Sequence, residues 1–475
     1  MNTLALPTLD RTVFDRYAGL SLPRHVAYPM PTWWRSLSGE DASTLRDATL
    51  LPSPRRALSL YVHIPFCAKS CRFCACNRTI LGRHNDRTDA RVDRYLDALC
   101  AEIDGRGRTL GQGVAVEQVH WGGGTPTYLN VEQITRLHEA TRRAFTISDH
   151  AECSIEVDPR VTTRKQLATL AGLGFNRVSM GVQDFDPEVQ THVQRVQPLE
   201  TVRDLTQAAR DEGFESVNYD LIYGLPKQTT ASVRDTVEHV IQLRPDRIAF
   251  YHYAQIPDRV AHQRGLDHTA LPDSDAKLAM FLDAWQRFTE AGYDFIGLDH
   301  FARPNERLAV AAREGGLQRS FQGMTTGAQL DLIGMGCSAI STYPGVAYVQ
   351  NERDPWAYAE AIETGRDPAI RGLALSDDDA VRQALLLELY GQAKLDRRAL
   401  ARTLGDAVHD CFDAAEPALA VLASDGLIER TPCGGVELTF PLGRVLMRNV
   451  AAAFDAYLGK EAPWIGMQTA FSASA

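Results

Sequence analysis

From about residue 57 to 298 the sequence alternates short β-branched, apolar runs with longer stretches of helical period, and this alternation restricts the possible fold more than any other feature. Candidate strands lie at 58–64, 116–121, 152–157, 177–181, 216–223, 247–253 and 294–298. The stretches between them, 93–104, 131–145, 199–212, 232–243 and 276–291, carry apolar residues at i, i+3 and i+4. Repeated β-α units imply an α/β fold with a parallel sheet and right-handed crossovers, hence a barrel or a doubly wound sheet. Most of these strands run straight into a Gly, Pro or polar loop of the kind that walls a site, which favours a barrel, complete or partial.

The flanks read differently. Residues 1–57 scatter Pro7, Pro23, Pro29, Pro31, Pro52 and Pro54 among Tyr28, Trp33 and Trp34, and read as an extended leader, either packed over the body or covering a site. Around 345–364 the strand signal fades. Helical patterns at 377–391, 397–404 and 417–425 precede a hairpin through Cys433-Gly434-Gly435 and a last helix at 443–458. The expected order is therefore an N-terminal extension at 1–57, a barrel at 58–372 and a mainly helical C-terminal domain at 373–475.

Composition excludes several classes. With 44% apolar and 23% charged residues the chain has the makeup of a globular protein. No apolar run approaches the roughly 18 residues of a membrane span, and MNTLALPTLDRTVFDRY meets acidic and polar residues too early for a signal peptide. A cytoplasmic location, with reduced thiols, is the expectation. A formal charge of -10 argues against general nucleic-acid binding, and an acidic ligand would need a local basic pocket.

Directly after the first strand and Pro65 comes CAKSCRFCAC, residues 67–76, which gathers four of the nine cysteines. Structural zinc uses two separated thiol pairs, and four thiols within this loop are too cramped for it. A thioredoxin-type C-x2-C exists at Cys71 and Cys74, but that motif opens a helix and needs neither Cys67 nor Cys76. An iron-sulfur cluster remains, since thiolates are its normal ligands. Cys67, Cys71 and Cys74, spaced C-x3-C-x2-C, would leave one iron of a cubane open to a ligand or substrate. Cys76, one residue beyond Cys74, has little room to reach a separate iron and reads as a neighbour of the site.

The cysteine spacing resembles the radical S-adenosylmethionine (SAM) superfamily, in which a 4Fe-4S cluster binds SAM and cleaves it to a 5'-deoxyadenosyl radical. Taken together, YVHIPFC-x3-C-x2-C-x-C, WGGGTPT, EVDPR, RVSMGVQDF, NYDLIYGLP, GLDHFARP, FQGMTT and LIGMGCSAIS resemble the oxygen-independent coproporphyrinogen III oxidases over nearly the whole chain. The resemblance implies an incomplete β/α barrel of the radical SAM type with an N-terminal extension and a helical C-terminal domain. It implies 4Fe-4S ligands at Cys67, Cys71 and Cys74, a first SAM contacted by Tyr61, Gly123, Glu156 and Ile340, and a second by Phe73, Cys76, Gly124, Thr125, Gln183, Arg195, Asp220 and Ala254. Tyr61 and Cys76 carry the catalytic assignment.

The implied reaction is oxidative decarboxylation of two propionates of coproporphyrinogen III to vinyl groups, with an external electron donor and acceptor and a monomer as the default state. Arg24, Arg72, Arg78 and Arg303 are candidates for the substrate carboxylates. Two departures from the family pattern stand out: Ala75 replaces a glycine common in the family, which removes backbone freedom but fits the same space, and Pro23-Arg24-His25-Val26-Ala27-Tyr28-Pro29 keeps only the ends of the family's leader motif, which bears on substrate contacts by the leader. A paralogous C-methyltransferase, an anaerobic haem-degrading enzyme and a haem-binding chaperone share the same core and stay open as alternatives.

Overall fold

The computed structural model describes residues 10–20, 22–49, 57–82, 89–110, 113–321, 323–327 and 329–460; the leader expectation at 1–9, 21 and 50–56 lies outside them. Grouping by spatial contact cuts across chain order: one compact unit holds Ser36–Pro272 and Gln329–Ala374, the other Met1–Arg35, Asp273–Ala328 and Leu375–Ala475.

The first unit is an incomplete β/α barrel. Strands β1 (Leu58–Ile64), β2 (Ala115–Gly123), β3 (Thr146–Val157), β4 (Arg177–Gln183), β5 (Ser216–Tyr223) and β6 (Arg247–His252) pair in parallel in chain order. Connections run through α1 (Ala90–Leu110), α2 (Val131–Ala144), α3 (Arg164–Gly172), α4 (Leu199–Asp211) and α5 (Thr230–Leu243). Leu58, Leu60, Val62 and Ile64 on one face of β1 are buried and so are Ser59 and His63 on the other, as a parallel strand covered on both faces requires. Helix α2 starts where its sequence says it should: Asn130 and Gln133 form a reciprocal capping box, and Ile134, Leu137, Ala140 and Ala144 then line its buried face.

Four further strands were not legible in the sequence. β7 (Asp331–Met335) lies parallel to β1 on the side away from β2, with Gly334 opposite Tyr61, and β8 (Ile340–Tyr343), β9 (Ala347–Asn351) and β10 (Ala369–Ala374) extend the sheet antiparallel. These strands are short and hold buried polar residues. Gln350 donates to the nearby Ser338 carbonyl and Asn351 to the distant Glu102, so hydrogen bonds outside the ladder offset what local β propensity lacks.

In the second unit, the expected strand at 294–298 is half of a tight antiparallel hairpin, Asp294–Gly297 with His300–Ala302, rather than another β-α unit. Gly297 at φ +134° and Leu298 at φ +51° make the turn, which the hydrophobic pattern does not register. The C-terminal part is helical as expected, with Asp377–Gln392, Arg397–Leu404 and Ala407–Ser424 around a core that includes Leu385, Leu389, Phe412 and Leu419. The third of these helices begins ten residues before Pro417, because Val408, Cys411, Phe412 and Ala415 already bury a helical stripe. The expected last helix divides into Leu442–Val445 and Met447–Ala452. The leader is also less extended than expected: Arg11–Ala18 and Gly39–Thr49 are helices, the first capped by Asp10. Among the described residues no helix is long and apolar enough to cross a membrane.

Candidate active site

The cysteine loop leaves β1 through Pro65 and is pinned at both ends. Phe66–Cys67 pairs in parallel with Thr79–Ile80, and the Thr79 amide donates to the Pro65 carbonyl at 2.7 Å. Inside the loop, Arg78 donates to the Ser70 hydroxyl at 2.9 Å and the Cys71 carbonyl at 3.2 Å, and Arg72 donates to the Gly265 carbonyl at 2.9 Å. Both arginines thus hold loop geometry. Arg24 and Arg303 lie in the other unit. Gln263, fully buried, donates to the carbonyls of Phe73 (2.9 Å) and Ala254 (3.0 Å), and so ties the loop to the end of β6.

The thiols have different surroundings. Cys67 and Cys71 are buried, Cys74 is half-buried and Cys76 is exposed. Cys67 Sγ stands 3.4 Å from the Thr125 hydroxyl, and burial pushes its thiol up to about 11. The Cys76 thiol donates to Cys74, which holds Cys74 below the ordinary thiol value and Cys76 above it. Cys71 Sγ accepts from Arg160 Nη2 at 3.3 Å and Arg195 Nη1 at 3.4 Å. Asp158 joins these two guanidiniums: Arg160 Nη2 lies 2.6 Å and Arg195 Nη1 3.3 Å from its Oδ2. Burial raises the Asp158 carboxyl, but the Arg195 charge and the Arg160 fork outweigh it and hold the group at about 2.

Beside the loop, the C-terminal ends of β1 to β3 form the wall of a cleft. Glu156 Oε2 accepts from the Gly123 amide at 3.1 Å, and Oε1 lies 3.2 Å from His120 Nε2. Enclosure pushes the carboxyl upward, yet the His120 hydrogen bond and charge and the Gly123 amide hold it below the ordinary carboxylate value. Gly123, at φ +117°, could not carry a side chain: a Cβ would stand 2.6 Å from the His63 ring. A Cβ on Gly124 would meet the Pro65 backbone at 2.7 Å, so the glycine run lets β2 close against the cysteine loop. The Tyr61 ring stacks at 5.9 Å on His120, and its hydroxyl faces His63 Nδ1 at 2.9 Å. Burial, then the Glu156 charge and Cys76, keep the Tyr61 hydroxyl protonated well beyond its ordinary range. Burial also drives His63 down to about 4, so it is neutral and can donate from Nε2 to the Asn77 carbonyl at 3.0 Å while accepting from Tyr61.

The remaining expected residues follow the same edge. Gln183 ends β4 at φ +70°, and its side chain and that of Arg195 converge over Gly181. Asp220 pairs in register with Gly181 and accepts from Ser179 (3.0 Å) and Asn218 (2.9 Å). Ile340 begins β8, its backbone so close to Gly334 that a Cβ there would lie 2.5 Å from its carbonyl oxygen, and Gly334 is opposite Tyr61. Sequence reasoning did not single out His63, His120, Asp158, Arg160 or Gln263. His63 had a signal, since it lies two residues from Tyr61 on the same strand and so shares its face; His120 had none, since it meets Tyr61 only through the register of β1 with β2. Gln263 had none.

Among the described residues no three His, Cys, Asp or Glu side chains form a cage for a single metal ion. The cysteines do suit a cluster whose irons are ligated separately: Cys67 and Cys71 are buried on a pinned loop, and their sulfurs already receive Thr125, Arg160 and Arg195 as outer hydrogen-bond partners. Beside them, the Glu156 carboxylate and the glycine-lined end of β2 offer anionic and backbone groups to a cationic, hydroxyl-bearing ligand such as SAM.

Comparison with known proteins agrees with this arrangement. Residues 61–240 match the family model described as the radical SAM superfamily. The oxygen-independent coproporphyrinogen III oxidase of Salmonella typhimurium is 43% identical over 453 residues, covering 95% of this chain and 96% of that protein. Its counterpart from Synechocystis is 40% identical over 464 residues, covering 96% and 97%. The solved structure of coproporphyrinogen III oxidase from Escherichia coli, described as a radical SAM enzyme, superposes with a TM-score of 0.86 at 41% identity, covering 95% of this chain and 99% of that one. With a pinned three-cysteine loop, a carboxylate-walled cleft and likeness along nearly its full length, the chain belongs to the oxygen-independent coproporphyrinogen III oxidase family of radical SAM enzymes.

Proposed function

We propose that this protein converts coproporphyrinogen III to protoporphyrinogen IX by oxidative decarboxylation of two propionate side chains to vinyl groups. The observation that carries the reading is the juxtaposition of the Cys67–Cys71–Cys74 loop with the Glu156–Gly123 cleft at one edge of the barrel. A 4Fe-4S cluster with SAM would supply there a deoxyadenosyl radical able to take hydrogen from the propionate β-carbon, with carbon dioxide as leaving group and an external acceptor for the remaining electron.

The protein's own groups bind and orient. Cys67, Cys71 and Cys74 would hold the cluster. Glu156, charged at neutral pH, would receive the ammonium or ribose hydroxyls of the first SAM, with Tyr61, Gly123 and Ile340 closing around it. A second SAM would lie against Phe73, Cys76, Gly124, Thr125, Gln183, Arg195, Asp220 and Ala254. Support for that second position is the run of polar groups continuing past Glu156 along β4 and β5, where Gln183, Arg195 and Asp220 gather around Gly181. Catalytic roles for Tyr61 and Cys76 rest on their closeness to Glu156, whose charge acts on both. Action as a cytoplasmic monomer, with separate electron donor and acceptor, completes the reading.

The test is an anaerobic assay of the reconstituted protein with coproporphyrinogen III and SAM, beside Cys71→Ala. Vinyl product together with methionine and 5'-deoxyadenosine is expected from the unaltered protein, and none of the three from the variant. SAM cleavage without a vinyl product would overturn the substrate assignment.

A further inference from the structure

Arg160 reaches the cysteine loop through a turn that its own sequence builds. In Asp158-Pro159-Arg160, directly after β3, proline fixes φ at the second position of the turn, and the Val161 amide closes it on the Asp158 carbonyl at 3.1 Å. The Asp158 side chain accepts from the Arg160 amide at 3.0 Å. The Arg160 side chain then folds back on the same carboxylate, with Nε 2.9 Å from Oδ1 and Nη2 2.6 Å from Oδ2. Arg195 arrives from another segment, after the short helix Pro187–His192, and is held by the Gly181 carbonyl through Nη2 and by Asp158 Oδ2 through Nη1. The two nitrogens that share Asp158 Oδ2, Arg160 Nη2 and Arg195 Nη1, are the same two that donate to Cys71 Sγ, at 3.3 and 3.4 Å.

The three expected ligands differ in this respect. Cys67 has the Thr125 hydroxyl beside it and Cys74 the Cys76 thiol, both uncharged, whereas Cys71 takes two charged donors. One carboxylate set against two guanidiniums leaves a positive charge in contact with a buried sulfur, where solvent screens it little. A cluster becomes more negative on reduction, so hydrogen-bond donors and positive charge at its sulfurs favour the reduced form.

We propose that Asp158, Arg160 and Arg195 raise the reduction potential of the cluster by placing two charged hydrogen bonds on Cys71, with Asp158 as the positioning residue between the guanidiniums. The inference rests on the cluster reading of Cys67, Cys71 and Cys74. The couple concerned takes one electron from an external low-potential donor, and no bond is made or broken.

The test is a redox titration of the reconstituted full chain without SAM, using dithionite as reductant and the EPR signal of the reduced cluster as readout, after iron and sulfide contents are matched. Arg160→Met removes one donor and one charge, and Arg195→Met does the same from a separate segment should the first variant fail to hold a cluster. Each is expected to lower the reduced-to-oxidised ratio at a fixed potential by about tenfold, a midpoint shift of about 59 mV to lower potential. Lys69→Met removes the same charge from an exposed position on the cysteine loop, where solvent screens it, and should leave the midpoint in place. An unchanged midpoint in either cluster-bearing arginine variant, or an equal shift in Lys69→Met, would overturn the assignment. An unaltered protein that takes up no iron and sulfide would overturn the cluster reading itself, and the inference with it.

Discussion

Three carboxylates of the barrel unit show how burial and hydrogen-bond saturation divide structural work from chemical work. Glu102 on α1 is closed: Oε1 accepts from Asn351 at 3.0 Å, and Oε2 from the Gly336 amide at 2.8 Å and the Tyr358 hydroxyl at 2.6 Å. Glu156 has two protein partners, His120 and the Gly123 amide, and keeps 42% of its side chain open. Glu363, at the end of the helix Pro355–Glu363, is also 42% open, but Arg94 grips both its oxygens at 2.7 Å. Equal exposure thus hides opposite situations. Glu156 is open toward a cleft with acceptor capacity to spare, whereas Glu363 is open toward solvent with its capacity used.

The largest effect is expected at Glu156. Glu156→Ala should lower SAM cleavage by about 10²-fold or more, the scale of removing one preorganised charged partner from a reacting ligand. Its unfolding midpoint should fall only modestly: the Gly123 amide loses its carboxylate partner, but His120 keeps its bond to the Ser154 hydroxyl. The pH dependence has a definite sign. Because the folded carboxyl lies below its ordinary value of about 4.3, the stability it contributes is present above that value and is lost only as pH falls through the lower folded value. Carboxyl-labelled NMR should place the Glu156 midpoint below that of an unfolded peptide, and His120→Ala should move it upward. An unchanged midpoint in His120→Ala would break the account of why this group stays charged.

These contrasts were unequally legible in the sequence. Glu156 was visible because it is a carboxylate next to the C-terminal end of an expected strand, in series with Gln183 and Asp220 near the ends of the following two, and β1 and β5 were delimited correctly because parallel, doubly covered strands are nearly continuous apolar runs. Glu102 looked like any polar position on an amphipathic helix. Its meaning depends on Gly336, 234 residues away, and on β7 and β9, whose own signals are weak because they hold glycine and buried amides. The same limit applies to Arg160. It stands in the quoted EVDPR motif, but nothing in the sequence turns its guanidinium toward Cys71 rather than solvent. Local period reports which residues face a core; it cannot report which distant partner a buried polar group meets.

Glu102 tests that distinction. Glu102→Gln keeps the volume but sets an amide N-H₂ where only acceptors fit, leaving the Gly336 amide without its carboxylate partner or the Asn351 amide with only its bond to the Gly336 carbonyl. A cost of about 2–3 kcal/mol is expected. Native-state hydrogen exchange at the Gly336 amide is the appropriate measurement, since it reads the local opening free energy even where two units do not unfold together. Protection there should fall about 30- to 150-fold, matching that cost, while SAM cleavage by the folded protein stays near its original rate. Unaltered protection would mean that the network does not hold α1 to β7.

The smallest effect is expected at Glu363, where exposure would mislead. Glu363→Gln removes a bidentate ion pair of good geometry, yet both partners face water, so screening and side-chain entropy offset most of the attraction. Exchange protection of the neighbouring helix and the rate of SAM cleavage should both match the unaltered protein within error, at low and at high salt. Because Glu363 and Glu156 are equally exposed, this variant separates two explanations for any defect in Glu156→Ala. If loss of a half-open glutamate were harmful in itself, both variants would suffer; if harm requires spare acceptor capacity facing the cysteine loop, only Glu156→Ala will.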